Sequence, residues 1–182
     1  MKVPKGNATR PTSGRLRGAF FDICRNDVEG AFFLDLFSGA GAVGLESISR
    51  GAQNAVFVEN NRTALSCIRS NVELLQVSEH VEIFRLDVFK ALLSFSKKGR
   101  KFTIIYADPP YQKSFKWKGK SFLYSELVIK LVDEGNILDP SGSLFIEESK
   151  EKSFDCSCFD FLFLYKKWSY GGSVLYQYKR KK

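Results

Sequence analysis

Short apolar runs alternate with amphipathic segments along most of the chain, and this alternation restricts the fold more than any other feature. Strands are predicted over 31–37, 55–59, 81–86 and 102–107, and helices over 62–75 and 88–95 and in a segment that ends at Arg50 before Gly51. Strands that alternate with helices form a parallel sheet with right-handed crossovers. A further helix is predicted ahead of the first strand, with Thr12 or Ser13 as its cap and an apolar stripe along one face.

The C-terminal third follows a different pattern. A helix over 125–134 leads to a strand over 143–147, and two β-rich runs, 159–166 and 174–178, follow with no helix between them. Two such runs predict an antiparallel pair at one edge of the sheet. The residues after 178 are predicted to form a frayed basic tail, 179–182. We therefore expect an α/β fold with a mostly parallel seven-stranded sheet and an antiparallel C-terminal hairpin.

Length and composition limit the possible classes of protein. With 182 residues, 44% of them hydrophobic, the chain is long enough for one sizeable core and too short for two typical domains, so a single domain with a basic N-terminal segment over 1–12 is expected. A net charge of +8 favours a polyanionic partner such as nucleic acid, although many small basic proteins bind none. The four cysteines suggest neither a disulfide framework nor a zinc site. No stretch is apolar enough to cross a bilayer and no signal-peptide hydrophobic region follows the N-terminus, so a cytoplasmic protein is expected. We also expect a monomer.

A glycine-rich turn follows the first predicted strand. Residues 39–44, GAGAVG, match G-x-G-x-x-G between a strand and a helix, and Glu59 ends the next strand at about the expected ~20-residue spacing. Glycines let the backbone approach a ligand closely, and an acidic side chain at that place accepts hydrogen bonds from ribose hydroxyl groups. NAD and S-adenosylmethionine both contain an adenosine ribose, so this pattern alone leaves both cofactors open.

Two further carboxylates favour S-adenosylmethionine. Asp35, just before the turn, can pair with the amino group of a methionine moiety, whereas a carboxylate there would repel a pyrophosphate. Asp87 follows the third strand, where a carboxylate can hold an adenine amino group. The alternatives are a partnered carboxylate inside the sheet for Asp35 and a helix N-cap for Asp87. The predicted cofactor-binding residues are Asp35, Phe37, Ser38, Gly39, Gly41, Glu59, Asn60, Asp87 and Val88.

The sequence Asp108-Pro109-Pro110-Tyr111 follows the fourth predicted strand, at the end where open α/β sheets bind ligands. A nucleobase amino nitrogen is a poor nucleophile, so its methylation needs acceptors directed at both N–H bonds. Asp108 and the Pro109 carbonyl can provide these acceptors on a loop stiffened by two prolines, and Tyr111 can stack on an extracted base. The alternative is a Pro-Pro turn that only ends a strand, with Tyr111 covering the core.

A basic stretch lies directly after this loop. Residues 113–120 carry several lysines together with Phe115 and Trp117. The stretch is expected to be a mobile lid that contacts RNA or, alternatively, a solvated loop.

With these motifs the sequence resembles the family of small-subunit ribosomal RNA guanine-N2 methyltransferases of the RsmD type. The matching segments span most of the chain: 9–17 (TRPTSGRLR), 35–46 (DLFSGAGAVGLE), 49–52 (SRGA), 58–59 (VE) and 108–111 (DPPY). The Gly-x-Gly and Asp-Pro-Pro-Tyr elements are shared by many amino-methyltransferases, including DNA adenine enzymes. The Arg-Pro-Thr segment over 10–12 is the narrower signal, and it indicates this family.

The resemblance implies a Rossmann-like class I methyltransferase fold, S-adenosyl-L-methionine as cofactor, and a guanine of 16S rRNA in the assembling small ribosomal subunit as target. Transfer to the exocyclic N2 would proceed by direct in-line attack, without a metal or a covalent intermediate. The residues expected near the target or its phosphates are Arg10, Thr12, Arg15 and Arg17. For each of them, an ordinary basic helix start is the alternative.

Three other functions remain open. A DNA adenine-N6 methyltransferase uses the same loop chemistry, although 182 residues leave no room for a separate base-recognition domain. An NAD-dependent enzyme uses the same glycine turn. A non-catalytic RNA-binding ribosome assembly factor would keep the fold alone, and the intact Asp108-Pro109-Pro110-Tyr111 loop argues against it.

Overall fold

The structure of the chain is a computed structural model that describes residues 14–111, 113–151 and 159–181. The chain divides into two compact units, Met1–Val88 and Phe89–Lys182, and each is described by itself. The predictions for Arg10, for Thr12 and for a helix cap at Thr12 or Ser13 lie outside the described residues. Within the described ranges, no helix has the length and apolar character needed to cross a membrane.

The first unit contains three parallel strands and the helices that follow or precede them. Its elements are α1 (Gly14–Ile23), β1 (Phe32–Leu36), α2 (Ala42–Ser49), β2 (Asn54–Glu59), α3 (Arg62–Leu75), a 3-10 turn (Ser78–His80) and β3 (Val81–Arg85). β2 pairs with β1 on one side and with β3 on the other, both in parallel. Because all three strands run the same way, their carboxyl ends share one edge.

The predicted apolar stripe of α1 packs on β1. The rings of Phe20 and Phe21 lie 6.2 and 6.5 Å from the ring of Phe33, and all three side chains are fully buried. Aromatic pairs at this spacing add to the free energy gained by burying their area. The helix ahead of the first strand is therefore part of the core of this unit.

The second unit combines a parallel pair of strands with an antiparallel extension. Its elements are α4 (Val88–Lys97, which begins at the unit boundary), β4 (Phe102–Ala107), β5 (Ser114–Trp117), β6 (Lys120–Leu123), α5 (Tyr124–Gly135), β7 (Leu138–Ser149), β8 (Leu162–Tyr170) and β9 (Ser173–Arg180). β4 and β7 are parallel, β7 and β9 antiparallel, and β9 and β8 antiparallel. The predicted antiparallel C-terminal pair is confirmed. The three strands of the first unit and these four of the second give the seven expected.

Residues 113–120 differ from the prediction of a lid or solvated loop. β5 and β6 form an antiparallel hairpin around Lys118 and Gly119, whose φ values of 47° and 80° are those of a type I′ turn. Phe115 anchors the hairpin, because its ring centroid lies 4.9 Å from that of Phe89 and 6.1 Å from that of Tyr124. Phe115, one of the two aromatic residues of this basic stretch, is therefore a packing residue.

The prediction of a frayed tail from residue 179 was wrong for its first two residues. Lys179 and Arg180 belong to β9, where they pair with Phe163 and Leu162 of β8. The backbone N–H of Lys181 also donates to the carbonyl of Phe161, at 2.7 Å. Backbone hydrogen bonds between strands order a charged strand end as well as an apolar one. The basic composition of 179–182 therefore did not indicate whether these residues are paired in a strand.

Candidate active site

The glycine turn connects β1 to α2 through backbone conformations that few residues adopt. Gly39 and Gly41 have φ values of 54° and 81°, and Phe37, just before them, has a φ of 60°. Glycine reaches this left-handed region without steric cost, whereas phenylalanine reaches it only where the surroundings hold it there. The turn is therefore held in a fixed shape, with Gly39 partly exposed and Gly41 buried.

The third glycine of the motif is required by packing. A Cβ atom built on Gly44 would lie 2.4 Å from Cε1 and 2.6 Å from Cζ of Phe57, and 3.1 Å from Oδ2 of Asp35. Only a residue without a side chain lets the start of α2 approach β1 and β2 this closely.

Asp35 lies at the centre of this arrangement. Its side chain is only 2% exposed, and its Oδ2 accepts a hydrogen bond of 2.9 Å from the backbone N–H of Gly44. Burial raises the pKa of Asp35 to about 7; the Gly44 hydrogen bond opposes that rise and the nearby negative charge of Glu59 adds to it. A cationic ligand beside Asp35 would offset the cost of ionising it. The geometry thus fits both alternatives from the sequence, a partnered carboxylate and a ligand for an ammonium group.

Glu59, at the end of β2, is positioned by three backbone amides. Its Oε2 accepts from the N–H of Gly39 at 2.9 Å, and its Oε1 accepts from those of Asn60 and Asn61, each at 2.8 Å. Each carboxylate oxygen has about two acceptor positions, so Oε2 can still accept a bond from a ribose hydroxyl. Glu59 and the glycine turn are therefore brought together as the motif predicts.

Two polar side chains hold the glycine turn in place by hydrogen bonds. The Ser38 hydroxyl donates to the carbonyl of Asp35 at 2.6 Å and accepts from the N–H of Val58 at 3.0 Å, which ties β1 to β2. The fully buried Asn71 of α3 donates from Nδ2 to the carbonyl of Ala40 at 3.2 Å. Asn71 was not predicted, since its partner lies 31 residues away in the sequence.

Asp87 lies at the same edge of the first unit. Glu59 at the end of β2 pairs with Arg85 at the end of β3. Asp87 comes two residues after Arg85, so it lies at the end of the strand next to β2. Its side chain is half-buried, and Val88, 5% exposed, begins α4. This edge therefore presents carboxylates at the ends of three neighbouring strands, together with the glycine turn. These hydrogen-bond acceptors suit a ligand that contains an ammonium group and an adenosine.

In the second unit, the loop Asp108-Pro109-Pro110-Tyr111 begins where β4 ends. Ala107, the last residue of β4, pairs with Ile146 of β7. Asp108 is half-buried and Pro109 is buried, so the start of the loop is held against the unit. The residue after Ile146 is Glu147, which comes to lie beside the loop.

Glu147 holds the aromatic end of the loop. The Tyr111 hydroxyl donates to Oε1 of Glu147 at 2.6 Å and lies 3.1 Å from the hydroxyl of Ser173, while the Tyr106 hydroxyl donates to Oε2 of Glu147 at 2.9 Å. Burial, and next the hydrogen bond to Glu147, raise the pKa of Tyr111 well above its usual range, so its hydroxyl stays protonated as a donor. Sequence reasoning missed Glu147, which is 4% exposed.

The structure describes two of the arginines predicted to contact RNA, and these two differ in exposure and in ion pairing. Arg15 is exposed at the start of α1. Arg17 donates from Nε to Oε2 of Glu46 at 2.7 Å, and Glu46 also accepts from Arg50 at 2.8 Å. Part of the Arg17 guanidinium is therefore engaged within the first unit.

Several known proteins of similar sequence or fold are named as methyltransferases. The chain is 30% identical over 181 residues to "Putative rRNA methyltransferase YlbH" of Bacillus subtilis, covering 100% of this chain and 93% of that protein. It is 27% identical over 156 residues to "Ribosomal RNA small subunit methyltransferase D" of Haemophilus influenzae, covering 84% and 74%. A solved structure titled "Putative methyltransferase yhhF from Escherichia coli" superposes with a TM-score of 0.80 at 24% identity, covering 100% and 92%, and shares the fold. The family described as "Conserved hypothetical protein 95" matches residues 1–179, and the chain belongs to that family.

Proposed function

We propose that this protein transfers a methyl group from S-adenosyl-L-methionine to the exocyclic N2 of a guanine in 16S rRNA of the small ribosomal subunit. Membership of the family and the names of the two relatives support the class of reaction and the RNA substrate. The observation that carries the proposal is the loop of 108–111, whose acceptors follow a buried strand and whose tyrosine is fixed by Glu147.

The first unit provides the groups for the cofactor. S-adenosylmethionine, when bound, supplies an electrophilic methyl group on a positively charged sulfur. Asp35 would pair with the ammonium group of its methionine part, and Glu59 would accept hydrogen bonds from the ribose hydroxyls. The backbone from Phe37 through Ser38 and Gly39 to Gly41 would line the cofactor site, where Asp87 would accept from the adenine amino group and Asn60 and Val88 would complete the site.

The second unit provides the groups for the base. Asp108 and the carbonyl of Pro109 accept hydrogen bonds from the two N–H groups of the guanine amino nitrogen, which lets the nitrogen become pyramidal and stabilises the positive charge that develops there. The proton lost from that nitrogen passes through Asp108 to solvent. Pro110 stiffens the loop, and the ring of Tyr111 stacks on the extracted base.

The decisive experiment combines turnover and cofactor binding in one set of variants. Asp108→Ala removes an acceptor from the base and should abolish methyl transfer to 16S rRNA, while calorimetric titration with S-adenosylhomocysteine should give near wild-type affinity. Asp22→Ala, at an exposed carboxylate of α1, is the matched control and should leave both unchanged. Full transfer activity in Asp108→Ala would refute the mechanism.

The base and the atom are identified by mass spectrometry of ribosomal RNA nucleosides. RNA from cells that lack the protein should lose one N2-methylguanosine, and incubation with the purified protein should restore it. Transfer to adenine N6 in DNA would favour the DNA enzyme. Tight binding of NAD without binding of S-adenosylhomocysteine would favour the NAD-dependent enzyme. Absence of transfer to any substrate would favour an assembly factor.

A further inference from the structure

The C-terminal hairpin of the second unit exposes aromatic rings next to lysines. Phe163 and Tyr165 of β8 are 40% and 54% exposed, and their ring centroids are 6.3 Å apart. The Lys179 ammonium lies 4.6 Å from the centroid of the Tyr165 ring, and that of Lys166 lies 5.3 Å from the centroid of the Trp168 ring. We call Phe163, Tyr165, Lys166, Trp168 and Lys179 the ribbon face.

The register of the hairpin places these side chains on one side. Residues that pair directly across antiparallel strands share a face, and alternate residues along a strand return to it. The pairs Phe163 with Lys179, Lys166 with Gln177, and Trp168 with Leu175 follow one another at this spacing, and a bulge between Leu164 and Lys166 adds Tyr165. The contact between Lys179 and Tyr165 places the bulged ring on the same face.

The charge of the ribbon face is not neutralised locally. Neither Lys166 nor Lys179 forms an ion pair with any carboxylate in the described part of the chain, and a cation that lies over an aromatic ring keeps its charge. Lysines alone would protect the edge strand β8 from pairing with another chain. Exposed, adjacent aromatic rings on that strand add apolar area instead, which is typical of an interaction surface.

We propose that the ribbon face is a docking platform for a single-stranded segment of the substrate RNA. Bases stack on aromatic rings whatever their sequence, and lysines between the rings contact the phosphates. The alternative occupant, a second copy of this chain, would bring two like-charged faces together, whereas a polyanion complements this one. The identity of the RNA rests on the proposed function, but the platform itself rests only on the hairpin.

The turn end of the C-terminal hairpin lies beside the catalytic loop. Tyr170 pairs with Ser173, and this pair is two residues further along each strand than the pair of Trp168 and Leu175. Ser173 therefore lies on the same face as Trp168. The hydroxyl of Ser173 is 3.1 Å from that of Tyr111. Leu175 and Gln177, which lie on this face of β9 between Ser173 and Lys179, are buried, so the accessible part of the ribbon face runs along β8 from Trp168 to Phe163. That path covers about 16 Å at about 3.3 Å per residue. A strand of RNA whose target base reaches Tyr111 would continue along β8 and stack on its exposed rings.

The test measures binding of a short fluorescent single-stranded RNA to the full chain by anisotropy. Tyr165→Leu keeps an apolar side chain but loses the stacking surface, and should weaken binding about tenfold, whereas Tyr165→Phe keeps it and should bind like the wild type. Lys166→Gln with Lys179→Gln should lower the slope of log K against log salt by about 1.4, at about 0.7 per phosphate contact. The matched control, Lys97→Gln with Lys98→Gln at exposed positions around the end of α4, should leave that slope unchanged.

Thermal unfolding of each variant verifies that it folds. Wild-type affinity in both Tyr165→Leu and the Lys166 and Lys179 double variant would overturn the proposal. So would a concentration-dependent dimer that Tyr165→Leu abolishes while RNA affinity stays the same. RNA binding that depends on the ribbon face, in a protein that transfers no methyl group to any RNA, would support the platform and refute the proposed function.

Discussion

The hydroxyl of Tyr111 donates a hydrogen bond of 2.6 Å to Glu147, a buried residue on the strand beside the one that leads into the loop. The same carboxyl group accepts from Tyr106, so one side chain joins the strand and the loop. The ring that we assign to base stacking is therefore set in place by the sheet and not by its loop alone.

This relationship predicts different effects for two matched substitutions. Tyr111→Phe and Tyr106→Phe each remove one hydroxyl donor to Glu147, and each should lower the free energy of unfolding by about 1 kcal/mol. Tyr111→Phe should also reduce kcat, because the ring in the loop is no longer held, whereas Tyr106→Phe should retain near wild-type kcat. Denaturant unfolding and steady-state kinetics with 16S rRNA measure the two effects.

The comparison of the two variants separates positioning from stability. If both lower kcat to the same extent, the hydrogen bonds to Glu147 only stabilise the fold. Binding of S-adenosylhomocysteine should be unchanged in both, because the substituted residues lie outside the predicted cofactor set.

Asp35 predicts a pH dependence of cofactor affinity. Its pKa of about 7 means that the free protein carries this group mostly protonated below that pH. Only the ionised form pairs with an ammonium group, so the affinity for S-adenosylhomocysteine should rise about tenfold between pH 6 and pH 7.5 and then level off. Calorimetry across this range tests it. Asp35→Asn should bind weakly and lose the dependence, and the same pH profile in that variant would contradict the assignment.

The same pKa predicts an effect of opposite sign on stability. Between the unfolded pKa of Asp35, about 3.9, and its folded pKa of about 7, the folded state holds a proton that the unfolded state has lost. The contribution of Asp35 to the free energy of unfolding should therefore fall by about 1.4 kcal/mol per pH unit in that window and stay level above it. Asp35→Asn, which can still accept from Gly44, lacks this component, so its stability relative to the wild type should increase from pH 4 to 7. A difference that is constant with pH would show that Asp35 titrates normally.

The two described arginines of α1 should contribute unequally to RNA binding. Arg15 is exposed, whereas Arg17 is held by Glu46. Arg15→Ala should lower the affinity for RNA and its salt slope by about 0.7, as expected for one lost phosphate contact. Arg17→Ala should mainly lower stability, by up to about 1 kcal/mol. The two are measured by RNA titration at several salt concentrations and by denaturant unfolding. Equal salt slopes in both variants would show that Glu46 does not restrain Arg17.

The elements that the sequence predicted well carry their signals locally. α3 begins at Arg62 because the Asn61 side chain accepts from the N–H groups of Thr63 and Ala64. β4 is a run of mostly apolar residues, FTIIYA, bounded by a lysine and an aspartate. The glycine turn is equally local, since its residues adopt conformations that other residues avoid. These features require no knowledge of which distant residues meet.

The features that the sequence did not predict depend on distant partners or were hidden by composition. Glu147 and Asn71 act on residues 36 and 31 positions away, and no periodicity indicates such a pairing. The hairpin around Lys118 and Gly119 lies in a run of lysines, whose charge suggested a solvated loop. β7 begins at Leu138, five residues before the predicted strand. Its pairing with β4 is irregular over 139–142, where the Asp139 side chain accepts from the N–H of Ser141, so these turn-forming residues concealed the start of the strand in the sequence.

Gly44 offers a test of the close packing beneath the glycine turn. Gly44→Ala places a Cβ within 2.4 Å of Phe57 and should lower the free energy of unfolding by about 1–3 kcal/mol, as overpacking does, and weaken binding of S-adenosylhomocysteine by displacing the start of α2. Gly18→Ala is the matched control, because Gly18 lies within α1 and no atom lies within 4 Å of its Cβ position. Alanine at that position should raise the free energy of unfolding by up to about 1 kcal/mol. Phe57→Leu shortens the ring side chain, so in that background Gly44→Ala should cost less, a coupling that denaturant unfolding of the double variant measures. Equal effects of Gly44→Ala and Gly18→Ala would mean that α2 does not approach the strands as closely as described, and the close packing would then not explain the fixed shape of the turn.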